Sequence, residues 1–219
     1  MEKQRDREET ADMKVLLVNG SPNENGCTYT ALRAVADSLE EEKIGTEIFW
    51  IGNGISGCIA CNICRKTDRC AVNERVNECR EKLVAADGVI MGSPVHYASI
   101  SGEMAAFSDC LFYSGNGKYA YKPAGAVVCA RRAGTTNAID QLNKYFLISN
   151  MPIVSSQYWC MVYGNTADEL KQDCEGMQTM RLLGKNMAWL LKSIEAGKKN
   201  GISLPDKEAR IHTNFIKNG

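Results

Sequence analysis

The segment that most constrains the fold is a near-continuous apolar run, Lys14 to Asn19, followed directly by Gly20-Ser21-Pro22. A strand buried on both faces has this pattern, and such strands belong to parallel sheets that helices cover on both sides. Similar short runs follow along the chain, and most of them end in Gly, Ser or Pro. We therefore predict further strands at 46–51, 88–91 and 123–130, with a weaker pair at 153–155 and 158–162.

Stretches with apolar residues at helical spacing separate these strands. The predicted helices cover residues 28–43, 76–86, 101–113, 135 to about 149, and one long segment from about 166 to 196. Strands that alternate with helices require right-handed crossover connections, which place helices on both faces of a parallel sheet. The predicted fold class is therefore α/β.

Charge and hydropathy exclude several classes of partner. The chain has 26 Lys and Arg against 26 Asp and Glu, whereas a nucleic-acid surface or a polybasic membrane patch needs a field of one sign. No stretch approaches the length of about 18 consecutive apolar residues that spans a membrane. We expect a cytoplasmic protein with no nucleic-acid or membrane partner.

The ends of the chain differ from its middle in composition. Residues 1–12 are mostly charged and lack the apolar region of a signal sequence, so we expect a solvated arm, or alternatively an upstream start with Met13 beginning the folded chain. One folded domain is predicted over 13–197, with a cysteine-rich insertion at 57–72. A tail of mixed charge follows at 198–219.

The loop after the first predicted strand, Gly20 to Thr28, is small, hydroxylic and opens into a helix. Free amides at a helix N-terminus attract a phosphate, and ligands of open α/β sheets bind at the carboxyl ends of the strands. The loop lacks the Gly-Lys-Ser/Thr ending of a P-loop and the G-x-G-x-x-G of a dinucleotide fold. The alternative is a helix cap, with Thr28 or Asn25 as N-cap.

Loops after the third and fourth predicted strands end at the same edge. Pro94 to Tyr97 offers flat contacts and backbone donors to a planar heterocycle, although His96 alone is more often structural. Arg131 and Arg132 are the first residues of the other loop. One of them can line the edge of a carbonyl-rich ring or bind a second phosphate, and we expect the other to be solvated. The three loops together predict a site for a phosphorylated planar ligand.

These loops, GSP-x3-G-x-T, SPVHYASISG and the Gly- and Arg-containing loop, resemble the flavodoxin-like, NADPH-dependent FMN reductase family, as does Thr213-Asn214-Phe215-Ile216. The resemblance spans residues 13 to 219. It implies a flavodoxin-like three-layer sandwich with a five-stranded parallel sheet, non-covalent FMN, and homodimers or homotetramers with the flavin near a subunit interface.

The resemblance also implies which residues contact FMN. Those on the phosphate loop are Ser21, Asn23, Gly26, Cys27 and Thr28, those on the isoalloxazine loop are Pro94, Val95, His96 and Tyr97, and those along the ring edge are Arg131, Ala133, Gly134 and Thr135. Cys27 departs from the family pattern, because many members have Asn there. No catalytic acid or base is assigned, and His96 or Tyr97 is the best candidate for one.

Four of the ten cysteines follow the spacing Cys58-x2-Cys61-x2-Cys64-x5-Cys70; we call them the four motif cysteines. Three thiolates at two-residue intervals plus a fourth can bind the irons of a [4Fe–4S] cluster. Zinc, reduced thiols or a disulfide are the alternatives. The other six are predicted to be mostly small buried hydrophobic residues: Cys27, Cys79, Cys110, Cys129, Cys160 and Cys174.

The spacing resembles the iron-sulfur flavoproteins, a sub-family with such a motif after the second strand. The resemblance implies electron transfer between a reduced donor (a small molecule, with NAD(P)H as a possible substrate, or a ferredoxin-type protein), the cluster and FMN, and on to oxygen, peroxide or a quinone. Without a cluster, the same sequence predicts an NAD(P)H-dependent FMN or quinone reductase. The alternative of another class is a non-enzymatic redox-sensing or zinc-binding module.

Overall fold

The computed structural model describes residues 13–206, 208, 209, 211 and 213. The charged arm predicted at 1–12 lies outside the described residues, as does most of the segment from Thr213 to Ile216 that entered the family resemblance. Within the described part of the chain, no helix is long and apolar enough to cross a membrane.

Five parallel strands form the main part of the sheet, as the family resemblance implies. The strands in chain order are β1 (Lys14–Asn19), β2 (Gly45–Trp50), β3 (Gly88–His96), β4 (Ser99–Ile100), β5 (Ala124–Ala130) and β6 (Met161–Tyr163). The sheet order is β2-β1-β3-β5-β6, and the two-residue β4 pairs antiparallel with the end of β3. The α/β fold class is confirmed, with β4 as a small sixth strand.

Helices cover both faces of this sheet. They are α1 (Cys27–Glu41), α2 (Cys64–Thr67), α3 (Glu74–Ala85), α4 (Gly102–Ser114), α5 (Thr135–Ile148), α6 (Ala167–Leu170) and α7 (Cys174–Lys199). Alternate β1 residues belong to two different cores: Leu16 and Val18 pack with α3, α4 and α5, while Val15 and Leu17 pack with α1 and α7. This two-sided burial explains the unbroken apolar run of β1.

Two sequence predictions differ from the structure near the C-terminal end of the sheet. The long helix predicted from 166 is broken, because Asp173 starts α7 by accepting a hydrogen bond from Gly176 N at 2.9 Å and also binds Tyr163 N at 2.8 Å. The weaker strand pair is shorter than predicted: Ile153 forms one isolated bridge with Ala124, and β6 begins at Met161.

Candidate functional site

A cavity of about 480 Å³ opens at the carboxyl ends of β1, β3 and β5; we call it the crevice. It brings together the three loops that the sequence singles out. Nine of the predicted contact residues line it: Ser21, Asn23, Gly26, Cys27, Thr28, Pro94, Val95, His96 and Arg131. The prediction that these loops meet at one edge therefore agrees with the geometry.

Four predicted residues do not line the crevice. Ala133 and Tyr97 are exposed, and Gly134 supports the neighbouring turn. Thr135 faces a second cavity of about 340 Å³, whose walls include Tyr158 and Trp159.

The structure adds a fourth loop to the crevice, residues 164–167, which follows β6. The sequence pattern does not indicate it, because the weak strand there is predicted to end at residue 162, a long helix is predicted from about 166, and the residues between them carry no motif. The one sequence signal for this loop is that it follows a predicted parallel strand, because ligands bind at the carboxyl ends of such strands. Asn25, Cys129 and Ala130 also line the crevice without having been predicted.

The loop after β1 is held in shape by its own polar groups. The Asn19 side chain accepts a hydrogen bond from Ser21 N at 3.1 Å and donates to Glu24 O at 2.8 Å. Ser21 Oγ accepts from Asn23 N at 3.1 Å, and Trp50 Nε1 donates to Ser21 O at 2.8 Å. These contacts order the loop without using the N-terminal amides of α1.

The start of α1 fits a phosphate group. Its N-cap is Gly26, and no described side chain caps it, whereas side chains of Asn73, Ser101, Thr166 and Asp173 cap other helices. The alternative in which Thr28 or Asn25 is the N-cap is therefore wrong. Free N–H groups at a helix N-terminus bind anions.

The Thr28 hydroxyl is a second feature that suits a phosphate group. Its hydroxyl oxygen is buried and has no oxygen or nitrogen partner among the described residues, although it lies against the Cys129 thiol. A buried hydroxyl without a good partner is costly, and a phosphate oxygen would satisfy it.

Cys27 links α1 to the fourth loop. Its thiol donates to Gly164 O at 3.7 Å. Burial raises the pKa of this thiol, a backbone hydrogen bond lowers it by less, and the nearby Glu169 carboxylate adds a smaller increase. The raised pKa favours the neutral thiol, so Cys27 adds no negative charge at the start of α1.

A tight hairpin between β3 and β4 lies beside the crevice. Both turn residues, Tyr97 (φ 49°) and Ala98 (φ 58°), have left-handed backbone, which is unfavourable for residues other than Gly. Helix α5 holds this turn, because Asn137 Nδ2 donates to Ala98 O at 2.6 Å and Gln141 Oε1 accepts from Ile100 N at 3.2 Å. The turn leaves the Tyr97 side chain fully exposed.

Gly134 allows α5 to approach the hairpin. Its φ is 92°, and a Cβ at this position would lie 2.6 Å from Ala98 Cα. Real Cβ atoms do not approach backbone so closely, so the position requires glycine. Gly134 therefore shapes the crevice wall through the hairpin that it contacts.

The four motif cysteines line one small cavity, which we call the cysteine cavity. Among the described residues that line it, the metal-ligating side chains are all thiols, and Cys110 of α4 is a fifth. The other walls include Ile59, Ala71 and Val72. Soft thiolate ligands in apolar surroundings suit an iron–sulfur cluster, so the donor set fits that group.

A single metal ion requires its ligands to converge on one point. In the part of the chain that the structure describes, no group of three or more His, Cys, Asp or Glu side chains does so. Four thiolates on four different irons stand farther apart than four thiolates on one ion, so this finding concerns a single ion only.

Helix α3 holds one side of the cysteine cavity. The buried Asn77 side chain accepts a hydrogen bond from Cys70 N at 2.8 Å and donates to Cys70 O at 3.0 Å. Asp68, at the C-terminal end of α2, pairs with Arg80 and Lys118. The hydrogen bond from Lys118 has the largest effect and that from Arg80 the next largest, and together they lower the pKa of Asp68 to about 2.

Helix α4 holds the other side. Its first turn carries Glu103, whose carboxylate accepts hydrogen bonds from Gly54 N at 3.0 Å and Ile55 N at 2.7 Å. Near its end, Tyr113 OH donates to Asn62 Oδ1 at 2.6 Å. The helix thus fixes both the segment that leads into the motif and the motif itself.

The same helix joins the two cavities, which share no lining residue among those described. At its N-terminus, Ser101 Oγ donates to Gly20 O at 2.7 Å, next to the crevice. Cys110, in the cysteine cavity, lies nine residues further along, a rise of about 14 Å. The cysteine motif is therefore near the crevice but forms a separate site.

Comparison with known proteins places the chain among flavin-dependent reductases. Residues 13–166 match the NADPH-dependent FMN reductase family. The chain is 32% identical to an iron-sulfur flavoprotein of Methanocaldococcus jannaschii over 84% of its length and 100% of that protein, and 26% identical to one of Methanosarcina thermophila over 84% and 97%.

A solved structure is similar in fold. The flavodoxin, WrbA-like protein of Agrobacterium tumefaciens aligns with a TM-score of 0.60 at 18% identity, covering 83% of the present chain and 98% of that protein. At this identity the likeness concerns the fold, and it supports the flavodoxin-like architecture.

Proposed function

The chain belongs to the NADPH-dependent FMN reductase family, and on this basis we propose that it passes electrons between a reduced donor, a [4Fe–4S] cluster on the four motif cysteines, and FMN in the crevice. The protein is an FMN-dependent oxidoreductase. When bound, FMN accepts a hydride as two electrons and releases them singly, and the protein supplies orientation and electrostatics.

Different crevice residues would bind the phosphate and the isoalloxazine ring of FMN. The free amides of the first turn of α1 and the Thr28 hydroxyl bind the phosphate. Pro94, Val95 and His96 would hold the isoalloxazine ring, and Arg131 also lines the crevice. Tyr97 lies outside this cavity at the hairpin tip, where an incoming substrate or a second subunit reaches it.

One observation carries the cluster assignment: the four motif cysteines line a single cavity in which thiols are the metal-ligating groups described. A bound cluster supplies one-electron transfer. Asn77, Glu103 and Tyr113 hold the cysteine loop through their hydrogen bonds to Cys70, Gly54, Ile55 and Asn62. Helix α4 then sets the separation of the cluster site from the crevice.

We also propose that the protein works as a homodimer or homotetramer. Tyr97 is fully exposed, and the aromatic side chains of Tyr158 and Trp159, in the wall of the cavity that Thr135 faces, are more than half exposed. A second copy would cover such surfaces. Sedimentation or light scattering of the FMN-loaded protein measures the assembly, and a monomer at micromolar concentration contradicts this proposal.

The test of the cofactors is anaerobic purification followed by assays of FMN, iron and acid-labile sulfide. We expect FMN together with four irons and four sulfides per chain, and a visible spectrum that dithionite bleaches. Cys61→Ser is expected to lose iron and sulfide while it keeps FMN. Cys174→Ser is the matched control, because Cys174 is also an exposed cysteine but lies outside the cysteine cavity.

Each other outcome identifies a different function. FMN without iron, together with reduction by NAD(P)H, supports a reductase that lacks a cluster. Stoichiometric zinc without FMN supports a metal-binding module and contradicts the present proposal. Loss of FMN in Cys61→Ser shows that the two sites are not separable.

A further inference from the structure

Trp50, the last residue of β2, belongs to none of the motifs found in the sequence and does not line the crevice. Its indole Nε1 nevertheless donates a hydrogen bond to Ser21 O at 2.8 Å, in the loop that leads from β1 into α1. Among the described residues, this is the one hydrogen bond to residues 21–25 that comes from outside residues 19–26. Trp50 therefore ties this loop to the neighbouring strand.

The tethered residue is connected to the first turn of α1 through the loop itself. Ser21 lines the crevice, and its hydroxyl oxygen accepts a hydrogen bond from Asn23 N at 3.1 Å. The Asn23 carbonyl accepts in turn from Gly26 N at 3.4 Å, and Gly26 is the N-cap of α1. The contacts thus run from the Trp50 indole to the helix start whose free amides suit a phosphate.

The backbone of Trp50 is held by helix α3. Arg75 Nε donates to Trp50 O at 3.1 Å, and Arg75 Nη2 donates to the same oxygen. The guanidinium carbon lies 4.0 Å from the centroid of the Phe49 ring, and Nη1 pairs with Glu78 at 2.5 Å. These three contacts restrict the Arg75 side chain, so the residue that donates to Ser21 is itself fixed.

We propose that Trp50, held by Arg75, is a positioning residue for the FMN phosphate: its indole N–H fixes the Ser21 carbonyl and thereby keeps the loop in the shape that presents the first turn of α1 to the phosphate. The inference rests on the proposal that FMN occupies the crevice. Riboflavin has no phosphate and gains nothing from this arrangement. Trp50 therefore favours the phosphorylated flavin without contacting it.

Two substitutions separate the hydrogen bond from the bulk of the ring. Trp50→Phe keeps an aromatic ring and removes the donor. Trp50→His loses the benzene ring but can keep the donor, because Nε2 of histidine is as many bonds from Cβ as Nε1 of tryptophan. At about pH 8 the imidazole is neutral and carries one N–H, which the Ser21 carbonyl can select.

Fluorescence titration of the full-length chain, after removal of flavin, measures the dissociation constants of FMN and riboflavin. Trp50→Phe is expected to bind FMN about fivefold more weakly and riboflavin unchanged, which is the effect of one lost hydrogen bond. In Trp50→His, the ratio of the two constants is expected to stay near that of wild type. Trp189→Phe is the matched control, because Trp189 is 70% exposed on α7 and does not line the crevice.

An unchanged ratio of the two constants in Trp50→Phe overturns the inference. An equal loss for both flavins overturns it as well, since Trp50 would then support the fold in general. The same ratio in Trp50→His as in Trp50→Phe also overturns it, because the ring and not the N–H would then be responsible. Failure of wild type to bind FMN instead contradicts the proposed function.

Arg75→Met is a second test that leaves the indole in place, and it applies even if the Trp50 variants do not fold. It removes the hydrogen bonds to Trp50 O and is expected to weaken FMN binding about threefold, with riboflavin binding unchanged. Arg69→Met is the matched control, because Arg69 pairs with Glu74 and Glu81 of the same helix and is expected to bind both flavins as wild type does. Wild-type FMN affinity in Arg75→Met contradicts the role of Arg75 in holding Trp50.

Discussion

The Asn77 side-chain amide binds both backbone groups of Cys70, accepting from its N–H at 2.8 Å and donating to its carbonyl at 3.0 Å. Asn77 is 2% exposed, so the two hydrogen bonds are shielded from water. A buried amide on helix α3 thus fixes the backbone of the last motif cysteine. The loop is held by protein contacts, independently of any metal.

Asn77→Ala removes both hydrogen bonds and leaves the Cys70 backbone without these partners. Because an unsatisfied buried polar group costs about 1–3 kcal/mol, we expect a loss of that order in the free energy of unfolding, together with faster release of iron to a chelator. Urea denaturation and the rate of iron loss measure the two effects. Asn186→Ala is the control, since its amide binds Ser155 O at 2.8 Å in another part of the fold. Equal iron loss in both variants contradicts a role for Asn77 at the cysteine cavity.

Thr28→Val tests the phosphate end of the crevice. The substitution is nearly isosteric and removes the buried hydroxyl that lacks an oxygen or nitrogen partner. We expect FMN affinity to fall by about 1–2 kcal/mol, roughly 5- to 30-fold, and riboflavin affinity to stay unchanged, because riboflavin has no phosphate.

Fluorescence titration with the two flavins measures this difference. Thr30→Val is the control in the same helix, because the Thr30 hydroxyl binds Gly26 O and does not line the crevice. A parallel loss of FMN and riboflavin affinity in Thr28→Val would place Thr28 away from the phosphate.

Gly134→Ala tests the contact between α5 and the hairpin. A Cβ would lie 2.6 Å from Ala98 Cα, and the left-handed backbone disfavours alanine. We expect at least about 2 kcal/mol of destabilisation and weaker FMN binding, because the hairpin must move. Gly102→Ala, with open space around its Cβ, is expected to leave both quantities near wild type. Wild-type stability of Gly134→Ala in urea denaturation would contradict this prediction, because the hairpin would then move without a cost in free energy.

Glu47 predicts a pH dependence of stability. Its carboxylate pairs with Lys14 at 2.5 Å and Lys82 at 2.6 Å, and the hydrogen bonds from Lys14 and then Lys82 lower its pKa below the ordinary value of 4.5. The folded state therefore favours the charged form. The stabilisation is fully present above pH 4.5 and is lost as the pH falls through the lowered pKa.

Glu47→Gln is expected to unfold more easily than wild type at pH 7, by about 0.2–1 kcal/mol, because the pairs are partly exposed. The difference between the two proteins should shrink as the pH falls below 4.5. Urea midpoints at several pH values measure it. A difference that stays constant down to pH 3 would mean that the ion pairs are not its source.

Much of the fold follows from local pattern. The strands at 14–19 and 124–130 are apolar throughout because helices cover both of their faces, and the sequence alone predicts them closely. The three loops that line the crevice could be identified because parallel strands end at the same edge. The last strand of the sheet is harder to predict from the sequence, because β6 has only three residues and little periodicity.

The break between α6 and α7 illustrates why local pattern fails there. Apolar residues continue at helical spacing through the break, but Asp173 binds Tyr163 N and Gly176 N and so begins a new helix. The partner on β6 is ten residues away in sequence, so the helical pattern does not reveal it. The loop at 164–167 lies before this break, between the predicted strand and the predicted helix, and it joins the crevice only through the tertiary fold.

The sequence by itself determined the α/β class, the crevice loops and the spacing of the four motif cysteines, because each depends on residues close together in the chain. Only the tertiary structure decided that Cys110 lines the cysteine cavity and that position 134 must be glycine because Ala98 lies so close to it. The physical reason is that both contacts join elements about 40 residues apart, and packing rather than local periodicity brings such elements together.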